Sequence, residues 1–368
     1  MRFTNVTGLP AGWTMGFQRD GRESLIVIVK ATFVLPEEGE TAVLASDQVA
    51  LVEADRFSGE PGMSAPLHET DYAHVKPGCD VLLVGNAHAP GGRPATRCPV
   101  RLRVGPVDKR FTVVGNRWWS RGPAGISHSS PEPFVNMPVT YDRAFGGTDR
   151  TRESDGLTET CPTNPVGQGY WRHAGQIDGQ PLPNSEGSTE AIQSHDVLYA
   201  PWALSPIGRN WQPRLGYTGT YDRQWQENVA PLWPADFDER YFQSAPPDQV
   251  MPWPRGGEDV LLENLSPAGA IAFRLPALAM PVTFIPYKGR DVTAQSNIDT
   301  LVFEPDLGRF TMAWRCVQPL GRSLFDVRET IAGEMSAAWH RARRFPGKTY
   351  YPDLAAAVRD RPRRRGAR

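Results

Sequence analysis

Long apolar runs, clustered cysteines and an excess of either charge are all missing from these 368 residues. The four cysteines, Cys79, Cys98, Cys161 and Cys316, stand far apart and form no CxxC pair. That spacing excludes the common zinc and thiol-redox motifs and reads as reduced, mostly buried thiols of a cytosolic protein. A net charge of −1 offers nucleic acid or an anionic membrane no general attraction. The first residues, MRFTNVTGLPAGW, lack the apolar core of a secretory signal, and no uncharged stretch approaches the length of a membrane helix. The expectation is a cytoplasmic protein with no membrane and no nucleic-acid partner. Phosphate-cradling and nucleophile motifs are missing as well: there is no GxxxxGK[ST], no GxSxG and no strand opening into GxGxxG. Gly167-Gln168-Gly169 has the first spacing of a dinucleotide loop but follows Asn164-Pro165-Val166 instead of a strand, so no cofactor is expected.

Glycine and proline are plentiful, at 35 each of 368, about 19% together. They imply many turns and few long helices. Rings are concentrated in one place, Arg209 to Gln249. Trp211, Tyr217, Tyr221, Trp225, Trp233, Phe237, Tyr241 and Phe242 lie there among Pro231, Pro234, Pro246 and Pro247. The prolines forbid one continuous helix, and the rings argue against disorder. The segment reads as a rigid irregular stretch, either core fixture or docking surface, with one short helix over 237–242 capped by Asp236.

Outside it, β-branched runs bounded by turn residues predict strands. They fall at 25–35, buried on both faces, and at 80–84. Residues 100–104 and 110–114 form a hairpin; further strands lie at 259–262, 270–275 and 282–285. A second hairpin joins 300–303 to 309–317. The Asp-Val-Leu-Leu beginning at Asp80 recurs at Asp259, which is too short to establish a repeat. Asp326 to Arg344, with acids early and arginines late, predicts a long helix. After Pro352 come a short helical piece and a basic end, RDRPRRRGAR, read as a solvated terminus.

The expected fold is therefore mainly β: antiparallel, sandwich-like or barrel-like sheets wrapped by a long irregular Gly/Pro/aromatic-rich central region, plus a C-terminal helix. The expected divisions are an N-terminal β region over 1–117, the irregular region over 118–256, a C-terminal β region over 257–320, and helix with basic tail over 321–368. These make one large or two intimately packed domains.

Two places invite chemistry. His68, Asp71 and His74 bring metal-ligand types together, but without a standard zinc spacing they read as an ordinary surface loop. Asp222, Glu227, Asp236, Asp238 and Glu239 leave a glycosidase-like acid pair open. The plainer reading is that Arg214, Arg223 and Arg240 pair with these acids and brace the segment.

Several short motifs follow one another along the chain: Val29-Lys-Ala-Thr-Phe33, Gly59-Glu-Pro-Gly62, Lys76-Pro-Gly-Cys-Asp-Val81 and Tyr141-Asp-Arg-Ala-Phe-Gly-Gly147. Next come Asn164-Pro-Val-Gly167, Leu182-Pro-Asn-Ser-Glu186, Gly219-Thr-Tyr-Asp-Arg-Gln-Trp225, Pro234-Ala-Asp-Phe-Asp-Glu-Arg-Tyr-Phe242 and Ala245-Pro-Pro-Asp248. In this order they resemble a bacterial family, domain of unknown function 2169, associated with type VI secretion. The resemblance implies a cytoplasmic, non-enzymatic adaptor that helps load a secreted effector onto the spike or its tip protein. Tyr, Trp and Arg are the side chains enriched at interface hot spots. Trp211, Arg214, Tyr217, Tyr221, Trp225, Trp233, Phe237, Tyr241 and Phe242 are accordingly the candidate partner-binding residues. No catalytic or metal residue is assigned; the alternative is a hydrolase acting on carbohydrate or peptidoglycan with carboxylates of the central region.

Overall fold

The strand Glu23–Val34 is buried along nearly all its length because apolar or pinned material covers both its faces. Leu25, Val27, Val29, Ala31 and Phe33 face the main hydrophobic cluster. On the other face, Thr32 is bonded by Gln48 and Val49, and the Lys30 ammonium donates to Asp71 at 2.9 Å. In this computed structural model, which describes residues 1–37, 40–321, 323–345, 349–351, 354–355 and 358–359, that strand belongs to a six-stranded sheet. Its order is Val250–Met251, Cys79–Leu83, Asn297–Glu304, Arg309–Pro319, Glu23–Val34 and Ala11–Phe17. All pairings are antiparallel except that of Cys79–Leu83 with Asn297–Glu304.

A five-stranded sheet packs against it, ordered Ser185–Gly187, Val107–Val114, Arg97–Val104, Asp259–Ser266 and Gly269–Arg274. Phe273 of the second sheet meets Phe303 and Phe310 of the first, at centroid distances of 6.4 and 5.2 Å. The fold is mainly β and sandwich-like, as the strand runs imply. The two Asp-Val-Leu-Leu segments occupy different sheets with different neighbours, so they mark no structural repeat.

A third sheet, ordered Arg2–Asn5, Val327–Ala332, Pro281–Pro286 and Val292–Gln295, corrects one expectation. The long helix over Asp326 to Arg344 does not form. Its first half is a strand, parallel to Arg2–Asn5 and antiparallel to Pro281–Pro286. Val327, Thr330, Ile331 and Ala332 are buried there, and tertiary pairing overrides local helix preference. Gly333, at φ +97°, ends the strand. Helix begins only at Ala337–Arg344, where Ser336 caps the Trp339 amide. All but the first residue of the basic end lies outside the described residues. No helix among the described residues is long and apolar enough to cross a membrane.

The irregular region from 118 to 256 wraps the sheets through two-to-four-residue strands and 3-10 turns. The buried Asn164 amide donates to the Tyr141 and Phe145 carbonyls at 2.8 and 3.0 Å. Asp142 accepts from Ser58 Oγ at 2.6 Å and from the Ala65 amide at 2.8 Å. Glu186 is gripped by Arg117 at 2.7 Å and Arg97 at 2.8 Å.

Candidate protein-interaction surface

The ring-rich segment folds from its caps and prolines. Asp222 caps the single turn-and-a-half helix Arg223–Asn228, its carboxylate accepting from the Trp225 amide at 2.8 Å. Pro231 stops any continuation. Asp236 is not a helix cap: its carboxylate accepts from the Thr220 amide at 3.0 Å and hydroxyl at 2.7 Å. The cap two residues on is Asp238, bonded to the Arg240 amide, and it starts a 3-10 turn, Glu239–Phe242, in place of the expected helix. Gln243 and the residues after it are pulled extended towards Asp80, which leaves no room for another turn.

Burial sorts the rings. Trp211 is 4% exposed and packs edge-on against Tyr141 at 5.5 Å, beside Ala65, Ala144, Ala203 and Ile207. Phe237 is 3% exposed, with Trp233 stacked at 4.4 Å and Tyr241 and Phe242 at 5.9 and 5.7 Å. These two rings are core. Trp225 is half-buried, its indole N–H donating to the Leu232 carbonyl at 2.9 Å. Tyr217, Trp233, Tyr241 and Phe242 are also half-buried, whereas Tyr221 stands 50% exposed against Trp225. Arg240 lies 4.4 Å over the Tyr217 ring and is held there by Asp238. Arg214 does not pair with the acids of its own segment. It is buried, donates to the Ile207 and Tyr241 carbonyls, and meets Glu69 at 2.9 Å.

Around Ile207–Arg214 the surface is grooved. One cleft of about 460 Å³ is walled by Pro77, Pro213, Tyr217, Arg240, Val250 and Met251. A second of about 210 Å³ shares Ile207 and Pro213 and runs past Trp202 to Lys109. A third, about 410 Å³, shares Arg214 and lies among Phe17, Tyr72, His74, Trp233 and Phe242. A fourth, about 260 Å³, shares Glu69 and Arg209 with the third. The walls are contributed from positions as distant as Phe17 and Met251, so no local motif announces them. For this reason no local pattern marks Lys109 or Arg209 as cleft residues. Lys109 is buried against Asp248 and Gln249, and burial lowers its pKa despite the nearby carboxylate.

Four of the five carboxylates that left hydrolysis open are committed elsewhere: Glu227 to Arg223, Asp238 to Arg240, Asp222 to the helix cap and Asp236 to Thr220. His68, Asp71 and His74 do not converge. His68 faces Glu304 at 3.4 Å, Asp71 takes Lys30, and His74 lies against Phe242. Burial, with the Arg315 charge second, holds the His74 imidazole below its ordinary pKa. Among the described residues no three His, Cys, Asp or Glu side chains gather as a metal site. All four cysteines are buried and free.

A family model described as an uncharacterized protein conserved in bacteria, DUF2169, matches residues 20–315. The chain belongs to that family. No curated protein and no solved structure matches it. In this DUF2169 member the motif residues that carried the resemblance serve largely as internal fasteners. Lys76 and Asp80 form a buried ion pair at 2.7 Å, completed by Thr300, Gln243 and Ser244. Gly146-Gly147 lies so close to Asn164 and Gly167 that side chains would not fit.

Proposed function

We propose that this chain is a non-enzymatic cytoplasmic adaptor that binds a type VI secretion effector and helps load it onto the spike or tip complex. The class of partner is taken from the resemblance of the motif order described above. The observation that carries the reading is the set of open clefts around Ile207–Arg214, with Tyr217 and Arg240 on the rim of the largest. Such a surface offers several shallow footholds for another protein's side chains and resembles the way interfaces concentrate energy in a few aromatic and arginine anchors. The competing hydrolase reading draws less support, because Asp222 is spent on a cap, Asp236 on Thr220, and Glu227 and Asp238 on arginines.

The test compares the tagged wild-type chain with a Tyr217→Ala/Arg240→Ala variant, each recovered from native extract of the producing cell. Wild type is expected to carry down a secreted effector or spike component. The variant should lose at least about tenfold of that capture at an unchanged melting temperature, as removal of hot-spot side chains does. Trp211→Ala is the core counterpart and should cost about 3–5 kcal/mol of stability. Equal capture by both proteins, or turnover of peptidoglycan by the purified chain, would defeat the proposal.

A further inference from the structure

The strand Ala11–Phe17, AGWTMGF, is the outer strand of the six-stranded sheet. It carries no charge and no proline, and its register with Glu23–Val34 runs without a bulge. Natural sheets blunt such edges with charges, prolines, bulges or brevity, and seven residues here have none of these protections. Trp13 and Phe17 are 38% and 53% exposed upon it.

The hydrogen-bond phase of the edge can be read from its two ends. The Gln18 amide donates to Arg22 at 2.7 Å, and the Lys30 amide donates to Pro10 at 2.9 Å. In an antiparallel ladder bonded and non-bonded pairs alternate. Positions 12, 14 and 16 therefore turn inward to the sheet, and Ala11, Trp13, Met15 and Phe17 aim their N–H and C=O groups outward. Among the described residues no hydrogen bond reaches those outward groups.

We propose that this edge pairs antiparallel with the same edge of a second copy, about a two-fold axis at Thr14. That register sets Ala11 against Phe17 and Trp13 against Met15, twice over, and each of these pairs exchanges two backbone hydrogen bonds. Every outward donor and acceptor of the four odd residues is then satisfied on both strands. The side chains agree with the register: the small Ala11 faces the large Phe17, and the Met15 sulfur meets the Trp13 ring, a favourable contact. Gly12 faces Gly16 and Thr14 faces itself, so pairs across the strands suit the pleat. Because the strand is uncharged, bringing it against itself opposes no like charges. A charged edge would pay that penalty at every self-pairing.

Sedimentation of the full chain alone, across a micromolar dilution series, tests this without any partner, so its outcome is separate from that of the adaptor reading. The expected result is twice the mass of one chain at the upper concentrations. The Trp13 amide is expected to be protected from hydrogen exchange in the dimer and to exchange freely on dilution. Trp13→Pro removes one outward donor and leaves the inward ladder intact, and should raise the dimer dissociation constant more than about tenfold. Should that variant fold poorly, Trp13→Lys places a charge on the seam and should act in the same direction. A single-chain mass throughout overturns the proposal. So does a dimer indifferent to both substitutions, or an edge amide protected only when an effector is added.

Discussion

Lys76 and Asp80 take opposite charges out of water, and neither could remain ionised there alone. Burial raises the Asp80 pKa, but the Lys76 ammonium and the Ser244 and Gln243 donors outweigh it, so the carboxyl stays below its ordinary value. For Lys76 burial works downward, and Asp80 with Asp299 turns the net shift upward. Glu304 behaves like Asp80: burial opposes the charge, yet the bonds from His68 and Arg309 bring it to about 2. A carboxyl lowered on folding adds stability above its unfolded pKa, near 4.5, and loses it as pH falls through the folded value. Wild type should therefore lose stability steeply between about pH 4.5 and 2. Glu304→Gln should be less stable by roughly 1–3 kcal/mol at pH 7, with a flatter acid limb. Urea midpoints across that range measure both; parallel acid limbs would remove Glu304 from the account.

At the scale of elements, strands were readable wherever β-branched runs met turn residues, because that signal is local. Glu23–Val34 and the hairpin pairs fall where the sequence places them. Val327–Ala332 was not readable. Asp326 and Glu329 read locally as the acidic first turn of a helix, and the strand's partners, Arg2–Asn5 and Pro281–Pro286, lie up to 327 residues away. The cap at 236 missed by two residues because Asp236 and Asp238 are equally good caps, and only contact with Thr220 decides between them. The loop pair at Gly147 and Gly167 is a contact of the same long-range kind. Gly147 has φ +103°, and an added Cβ would sit 2.5 Å from the Gly167 carbonyl oxygen. Gly147→Ala should lower stability by about 1–3 kcal/mol or more. A melting temperature equal to wild type would mean the loop relaxes freely.

Across the whole molecule one hydrophobic cluster joins Leu9 near the start to Ala332 near the end and draws on all three large sheets. The half-buried rings at 217–242 are fastened to the same body through Arg214, Arg19 and the Asp80 hub. Urea unfolding followed by far-ultraviolet circular dichroism and by tryptophan fluorescence should accordingly give coincident transitions. Two separated midpoints would show that the ring segment unfolds apart from the sheets. The candidate surface was legible as a region and not as residues. Trp211 and Tyr217 are only six positions apart in one segment, yet one is sealed by Tyr141 and the other lies on a cleft rim.

The sequence by itself determined where most strands run, that rings gather in one proline-bounded segment, and which family the motif order matches. Each depends on neighbours along the chain. Tertiary structure alone decided that Val327–Ala332 is a strand, that Arg214 is a buried fastener and that the clefts open around Ile207–Arg214. Burial and backbone pairing depend on what arrives from far away in the chain, and a local pattern carries no record of it.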